Sequence, residues 1–141
     1  MTQIQKQLVK TSFAQVAKIA DIAAALFYQR LFELDPALKP LFKGDLVEQG
    51  RKLMQMLALT VGGLEYFETM QPALRQLGAR HLSYGVTAEH YQTVGAALLW
   101  TLEQGLGTGF TDEVRAAWTA VYTLVAETMQ QTAMADVARA A

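Results

Sequence analysis

Apolar residues recur along this chain at roughly three- to four-residue intervals, and only three prolines interrupt them. That spacing stacks side chains on one face of a helix, whereas a half-buried strand would alternate. No segment alternates for long, so an all-α domain is expected. From Phe13 the stripe runs through Val16, Ala17, Ala20, Ala24, Phe27, Tyr28 and Leu31, with Asp21 expected to cap a break that makes two helices. Asp35-Pro36 reads as an N-cap followed by proline in the first helical position, opening a short helix that ends near Phe42-Lys43-Gly44. Leu46, Gln49, Gly50, Leu53, Leu57, Thr60 and Val61 form the next stripe, which Gly62-Gly63 stops. Pro72 is expected to open a helix that Gly85 ends, and Thr87 with Glu89 to start another carrying Tyr91, Val94, Gly95, Leu98 and Leu102. A loop from Gly105 to Gly109 then leads to a last helix, begun at Thr111-Asp112-Glu113 and burying Val114, Ala117, Trp118, Val121, Val125 and Met129. Residues after about Ala133 are expected to fray.

A chain of 141 residues is the length of one domain, read here as 1–141. Such a domain buries roughly 68–70% of its unfolded surface, enough for a substantial core. A formal net charge of −1 argues against a dedicated nucleic-acid binder. No apolar run reaches the roughly 18 residues of a membrane span, and the polar start Met1-Thr2-Gln3-Ile4-Gln5 lacks a signal-peptide core. The absence of cysteine excludes disulfides and accords with a cytoplasmic location.

Three polar residues stand where apolar ones belong: Tyr28, Gln49 and His81, each on the stripe of a different helix. Taken singly, each is most simply a core group with a satisfied hydrogen bond, since an unpaired buried group costs about 1–3 kcal/mol. His81 falls at i+7 from Leu74, i+4 from Leu77 and i+3 from Gly78, which puts the imidazole on the apolar face. The only other histidine, His90, lies off the stripe and reads as a surface residue. One histidine on a stripe and no cysteine give poor support to a tetrahedral zinc site. Haem iron needs only one protein ligand, because the porphyrin supplies the equatorial four. The three together suit a pocket holding a metal and a polar ligand.

The order of several stretches identifies the chain as similar to the globins, in particular the bacterial single-domain haemoglobins and the globin domain of flavohaemoglobins. They are Leu26-Phe27-Tyr28-Gln29-Arg30-Leu31-Phe32, Asp35-Pro36-Ala37-Leu38-Lys39-Pro40-Leu41-Phe42 and Gln49-Gly50-Arg51-Lys52-Leu53-Met54. Arg80-His81-Leu82-Ser83-Tyr84-Gly85-Val86, Glu89-His90-Tyr91-Gln92-Thr93-Val94-Gly95 and Ala117-Trp118-Thr119-Ala120-Val121-Tyr122 complete the set. The resemblance implies about seven to eight helices around a haem pocket. It implies haem b, iron protoporphyrin IX, with His81 as proximal iron ligand and Phe42 against the haem face. Tyr28 and Gln49 match the distal hydrogen-bonding pair, Leu53 the residue that closes over the ligand, and Lys52 a partner for a propionate. Leu77, Tyr84, Val86 and Val94 join the cofactor's surroundings, and Tyr91 matches the tyrosine of a proximal network. The glutamate of that network falls at Ala133 by ungapped count, so the carboxylate is expected to be missing.

The implied function is reversible O2 binding, with NO and CO as further diatomic ligands. Hydrogen bonds from Tyr28 and Gln49 to a ligand with negative charge are worth about 1.5–3 kcal/mol each, which implies high oxygen affinity and slow release. The resemblance also implies nitric oxide dioxygenation. No reductase is expected within these 141 residues, so electrons would come from a separate reductase or a small reductant. A monomer or weak homodimer is expected. The competing functions are a haem-based redox or gas sensor, or electron-transfer protein, acting through a partner, and a haem-free helical interaction module.

Overall fold

The computed structural model describes the backbone of residues 1–140 and the side chains of residues 1–131. The chain folds as six α-helices, α1 (Gln3–Ala17), α2 (Ala20–Leu34), α3 (Leu46–Gly62), α4 (Phe67–Ser83), α5 (Ala88–Leu106) and α6 (Asp112–Ala140). Short 3₁₀ segments at Pro36–Leu41, Leu64–Tyr66 and Gly107–Gly109 join them, and no strand occurs among the described residues. The all-α expectation therefore holds. Ala133 and the expected fraying after it lie outside the described side chains.

Helix boundaries differ from expectation in three places. The break between α1 and α2 falls at Lys18–Ile19, with Ile19 in the capping position, and Asp21 sits inside the first turn. A carboxylate there complements the helix dipole, so the sequence signal was real and its position two residues late. α4 begins at Phe67, and Pro72 lies within it. Proline removes one intrahelical bond, but Pro72 is exposed, so water can reach the carbonyl left without its partner. Gly105 is helical, and α5 turns only at Gly107, whose φ of +57° lies in the left-handed region. As expected, the Asp35 carboxylate accepts from the Ala37 amide at 3.1 Å, and Thr87 caps α5. One start went unread: Thr2 and Gln5 form a reciprocal capping box, with the Gln5 amide donating to Thr2 Oγ1 at 3.0 Å.

The core joins α1, α2, α5 and α6 through Val9, Phe13, Phe27, Leu31, Leu102 and Trp118. Trp118, 1% exposed, places its indole N–H on Ser12 Oγ at 2.8 Å, and Ser12 passes its own hydroxyl proton to the Leu8 carbonyl at 2.6 Å. That chain of donors satisfies the one polar atom of the largest core side chain. At the other end, Lys6 and Lys10, which the sequence shows only as scattered charges, converge on Glu65 at 3.9 and 3.3 Å. Such exposed pairs contribute little energy, though they pin α1 to the turn before α4.

Two glycines set how the helices approach. Gly50 lets α3 cross α2, since a Cβ there would stand 2.8 Å from the Ala24 Cβ. Gly78 lets α4 lie against α6, since a Cβ there would run into the Met129 carbonyl oxygen and stand 2.8 Å from its Cα. Gly78→Ala should gain about 1 kcal/mol of helix propensity. The obstacle is backbone, which no rotamer change can move, and overpacking of that kind costs about 1–3 kcal/mol. A net loss is therefore expected, seen as a lowered calorimetric Tm. An unchanged or raised Tm would show that α4 slides freely on α6.

Candidate functional site

α4 carries the histidine. Leu74 and Gly78 are buried and dock the helix on α6, while Leu77 and His81 remain half-buried on the same stripe. His81 Nδ1 lies 2.8 Å from the Leu77 carbonyl, one turn back. A carbonyl only accepts, so Nδ1 donates, and in the neutral ring Nε2 keeps its lone pair. Because Nδ1 faces its own helix, Nε2 points away from it, and it has no hydrogen-bond partner among the described residues. Tyr84, in the capping position of the helix, is exposed, its ring 6.3 Å from the imidazole.

A second set gathers around α2. Tyr28 is 6% exposed, and burial pushes its phenol up to about 12. Its hydroxyl donates to the Gln49 main-chain carbonyl at 3.4 Å, a long bond that leaves the group available. Phe42 meets the Tyr28 ring edge-on at 5.4 Å between centroids, and Phe32 stacks on Tyr28 at 6.1 Å and meets Phe42 at 5.5 Å. Phe32 had been given no role from sequence, yet its place four residues after Tyr28 puts it on the same helical face. Gln49, Leu53 and Phe42 are half-buried and Lys52 is exposed. The early part of the α3 stripe is thus more open than its periodicity suggests: burial becomes complete only at Gly50, Thr60 and Val61.

A third set lies between α4, α5 and α6. Gly78, Leu82, Val86, Tyr91 and Gln130 line a cavity of about 80 Å³. Burial raises the phenol of Tyr91 above its ordinary value, and that of Tyr122 further, with Tyr91 adding to it. The Tyr122 hydroxyl donates to the Tyr91 main-chain carbonyl at 2.6 Å, an approach that Gly95 permits, since a Cβ there would stand 2.8 Å from the Tyr122 ring. Val94, half-buried, packs against the core from the same helix. Among the described residues of α6, Gln130 is the polar one at this cavity, a neutral amide that the sequence count had passed over. His90 is used locally: its Nδ1 accepts from the Thr87 amide at 3.0 Å, a capping role that agrees with its reading as a surface residue.

The donor set is suited to one kind of metal group. Among the described residues no three His, Cys, Asp or Glu side chains cluster, so an ion held by several side chains has no site there. A single imidazole with a free Nε2 fits a group that brings its own equatorial ligands. α3 packs on α2 and α4 packs on α6, without extended packing between α3 and α4. The half-buried apolar residues Leu53, Leu57 and Leu77 lie on those two helices. Apolar stripes left partly uncovered on two helices with no extended packing between them suit a flat apolar group set there.

A family model described as Globin matches residues 25–129. The chain is 30% identical to a neuroglobin of Danio rerio, with 92% of this chain and 90% of the relative covered. It is 29% identical to neuroglobin-1 of Oncorhynchus mykiss, over 93% and 91% of the two. Among solved structures it superposes on an engineered carbene transferase from Rhodothermus marinus, provisionally designated a nitric oxide dioxygenase. The TM-score is 0.87 at 25% identity, covering 98% of this chain and 96% of that one. It also shares its fold with a bacterial globin from Campylobacter jejuni, at a TM-score of 0.81 and 24% identity over 94% and 96% of the chains. Among the described residues no helix is long and apolar enough to cross a membrane.

Proposed function

Because this chain belongs to the globin family, we propose that it holds haem b and binds O2 reversibly, with NO and CO as alternative ligands. The observation that carries the proposal is the state of His81: Nδ1 is committed to the Leu77 carbonyl at 2.8 Å and Nε2 is left to ligate. When bound, haem supplies the iron at which a diatomic gas coordinates reversibly. His81 would hold the iron, and its bond to Leu77 would fix ring orientation and strengthen Nε2 as a donor. Phe42 and Leu53 would pack against the cofactor, and Lys52, exposed at the edge of α3, would pair with a propionate. Leu77, Val86 and Val94 would supply apolar packing around it, and exposed Tyr84 would lie at its rim.

Tyr28 and Gln49 would act on the gas. The Tyr28 phenol, with a pKa near 12, stays protonated at neutral pH and can donate a hydrogen bond to oxygen. The Gln49 side-chain amide is the second donor, from the helix that faces Tyr28. Among the described residues the cavity beside Tyr91 is lined by Gln130 and by no carboxylate, which would leave the proximal histidine with a neutral environment. That favours holding oxygen over breaking its O–O bond.

Nitric oxide dioxygenation is the activity we assign on top of gas binding. NO, O2 and one electron together give nitrate, so turnover requires a one-electron reductant, for which a separate reductase is the natural source. The Rhodothermus marinus relative supports this assignment at 25% identity. The test is the absorption spectrum of the chain with haem, ferrous and ferric, before and after O2, CO and NO. A five-coordinate ferrous spectrum, a stable oxygenated form and its conversion to ferric by NO are expected. A ferrous form that binds no gas would overturn gas binding, and an oxygenated form inert to NO would overturn the dioxygenase activity alone.

A further inference from the structure

An open groove of about 570 Å³ runs along the outer face of α2. Ala25, Gln29 and Phe32 lie along one wall, and Leu46 and Val47, from the first turn of α3, stand on the other. Gly50 lets α3 approach α2, but one turn before it Leu46 and Val47 stay 38% and 59% exposed. On the α2 side Ile22 is 60% exposed, and it shares a helical face with Ala25 and Gln29, three and seven residues further on. Three aliphatic side chains thus border the groove in contact with water. Apolar surface gathered in this way and flanked by polar groups marks an interaction face.

The charges of the groove indicate what covers it. Its charged lining residues are Asp21 and Lys39, both exposed, and neither forms an ion pair among the described residues. Asp21 lies in the first turn of α2, and Lys39 in the 3₁₀ segment that follows its last turn. Along α2 the lining runs from Asp21 to Phe32, about 16 Å at 1.5 Å per residue. The groove therefore has a negative end, an apolar middle and a positive end. A surface of that kind matches itself when turned end for end. Two copies related by a two-fold axis across the middle set Asp21 of each beside Lys39 of the other, two opposite-charge pairs for one contact. The exposed Ile22 and Val47 side chains supply the projections that enter the other copy's groove. A polyanion or an acidic protein would meet Asp21 with like charge, and a flat membrane surface would leave the concave middle unfilled.

We propose that this face of α2 and the first turn of α3 is a self-association surface whose occupant is a second copy of this chain, packed antiparallel with Asp21 against Lys39. Three turns of one helix and the start of another make a small contact, below the roughly 800 Å² a side of a standard stable interface, so the dimer exchanges with monomer. Self-association through this face does not require haem, and it stands apart from the gas-binding function assigned above.

The experiment is sedimentation velocity on the full chain from micromolar to millimolar concentration, with circular dichroism to check helicity. Wild type is compared with Val47→Asp, Asp21→Lys and Lys39→Asp, each alone, and with an equimolar mixture of the two charge-reversed variants. A concentration-dependent monomer–dimer equilibrium is expected for wild type. Val47→Asp sets a carboxylate in the apolar middle and should weaken association by about tenfold or more. Asp21→Lys and Lys39→Asp, each alone, turn both charge pairs repulsive and should weaken it by about tenfold. Their mixture should associate as tightly as wild type, because every pair across the contact is again one lysine and one aspartate. A variant that had merely lost its fold would not be rescued by mixing. A wild type that stays monomeric at every concentration would overturn the proposal. So would a dimer indifferent to Val47→Asp and to both charge reversals, or a mixture that associates no better than its components.

Discussion

His81→Ala is expected to release haem or leave it without a protein ligand on one face. Even residues that merely support a metal ligand cost about 10- to 100-fold in affinity when removed. Losing the ligand itself should cost more, and no other histidine can take its place, because His90 Nδ1 caps α5 through the Thr87 amide at 3.0 Å. The fold should persist: α4 is docked by Leu74 and Gly78, while His81 is half-buried and bonds only to its own helix. Helical circular dichroism with a lost or abnormal ferrous haem spectrum is therefore expected. Added imidazole should restore the spectrum in part, by entering the space the side chain left. A normal ferrous spectrum in His81→Ala would remove the proximal assignment altogether.

Tyr28→Phe is expected to speed O2 release by about 10- to 100-fold, the equivalent of one hydrogen bond to a charged acceptor at about 1.5–3 kcal/mol. The substitution removes a single oxygen and keeps the ring that packs against Phe32 and Phe42, so the pocket should not collapse. The bond forfeited within the protein is the 3.4 Å contact to the Gln49 carbonyl, too long to contribute much to folding. CO release should change far less, because bound CO accepts hydrogen bonds weakly. An O2 off-rate unchanged in stopped-flow measurements would mean that another group donates.

The pH dependence follows from the same residue. Burial raises the Tyr28 phenol from 10.0 to about 12, so the folded state holds its proton more tightly than the unfolded chain does. Below pH 10 both states are protonated and the group does not affect stability. Between pH 10 and about 12 the unfolded chain ionises first, and stability falls as pH rises. Gas release should be flat through neutral pH and should quicken only where the phenol begins to ionise. A rise in the O2 off-rate between pH 6 and 8 would point to a donor other than Tyr28.

Much of the proposed site could be read before the fold was known, because its residues contradict their local pattern. Tyr28, Gln49 and His81 each place a polar group on an apolar stripe, and periodicity of that kind survives in one dimension. The bond from His81 to Leu77 was legible too, since it spans one turn of a single helix. Phe32 could have been found by the same four-residue spacing from Tyr28. Gln130 could not: its place beside Tyr91 depends on where α6 crosses α4 and α5, a matter of contacts far apart in the chain. Counting residues without gaps pointed to Ala133, outside the described side chains. The start of α4 escaped for a different reason. Proline is a strong local signal for a helix beginning, but tertiary docking carries α4 through it from Phe67.

The amino-acid sequence by itself determined the helical class, most caps and the identity of the polar intruders, because each depends on spacing within a turn or two. Tertiary structure alone decided which stripes meet and which are left apart. The α4 stripe closes on α6 because Gly78 has no side chain to hold off the Met129 backbone, and Gly50 lets α3 close on α2 in the same way. Where no such glycine draws two helices together, as between α3 and α4, packing stays limited, since backbone approach is set by the largest side chain at each crossing.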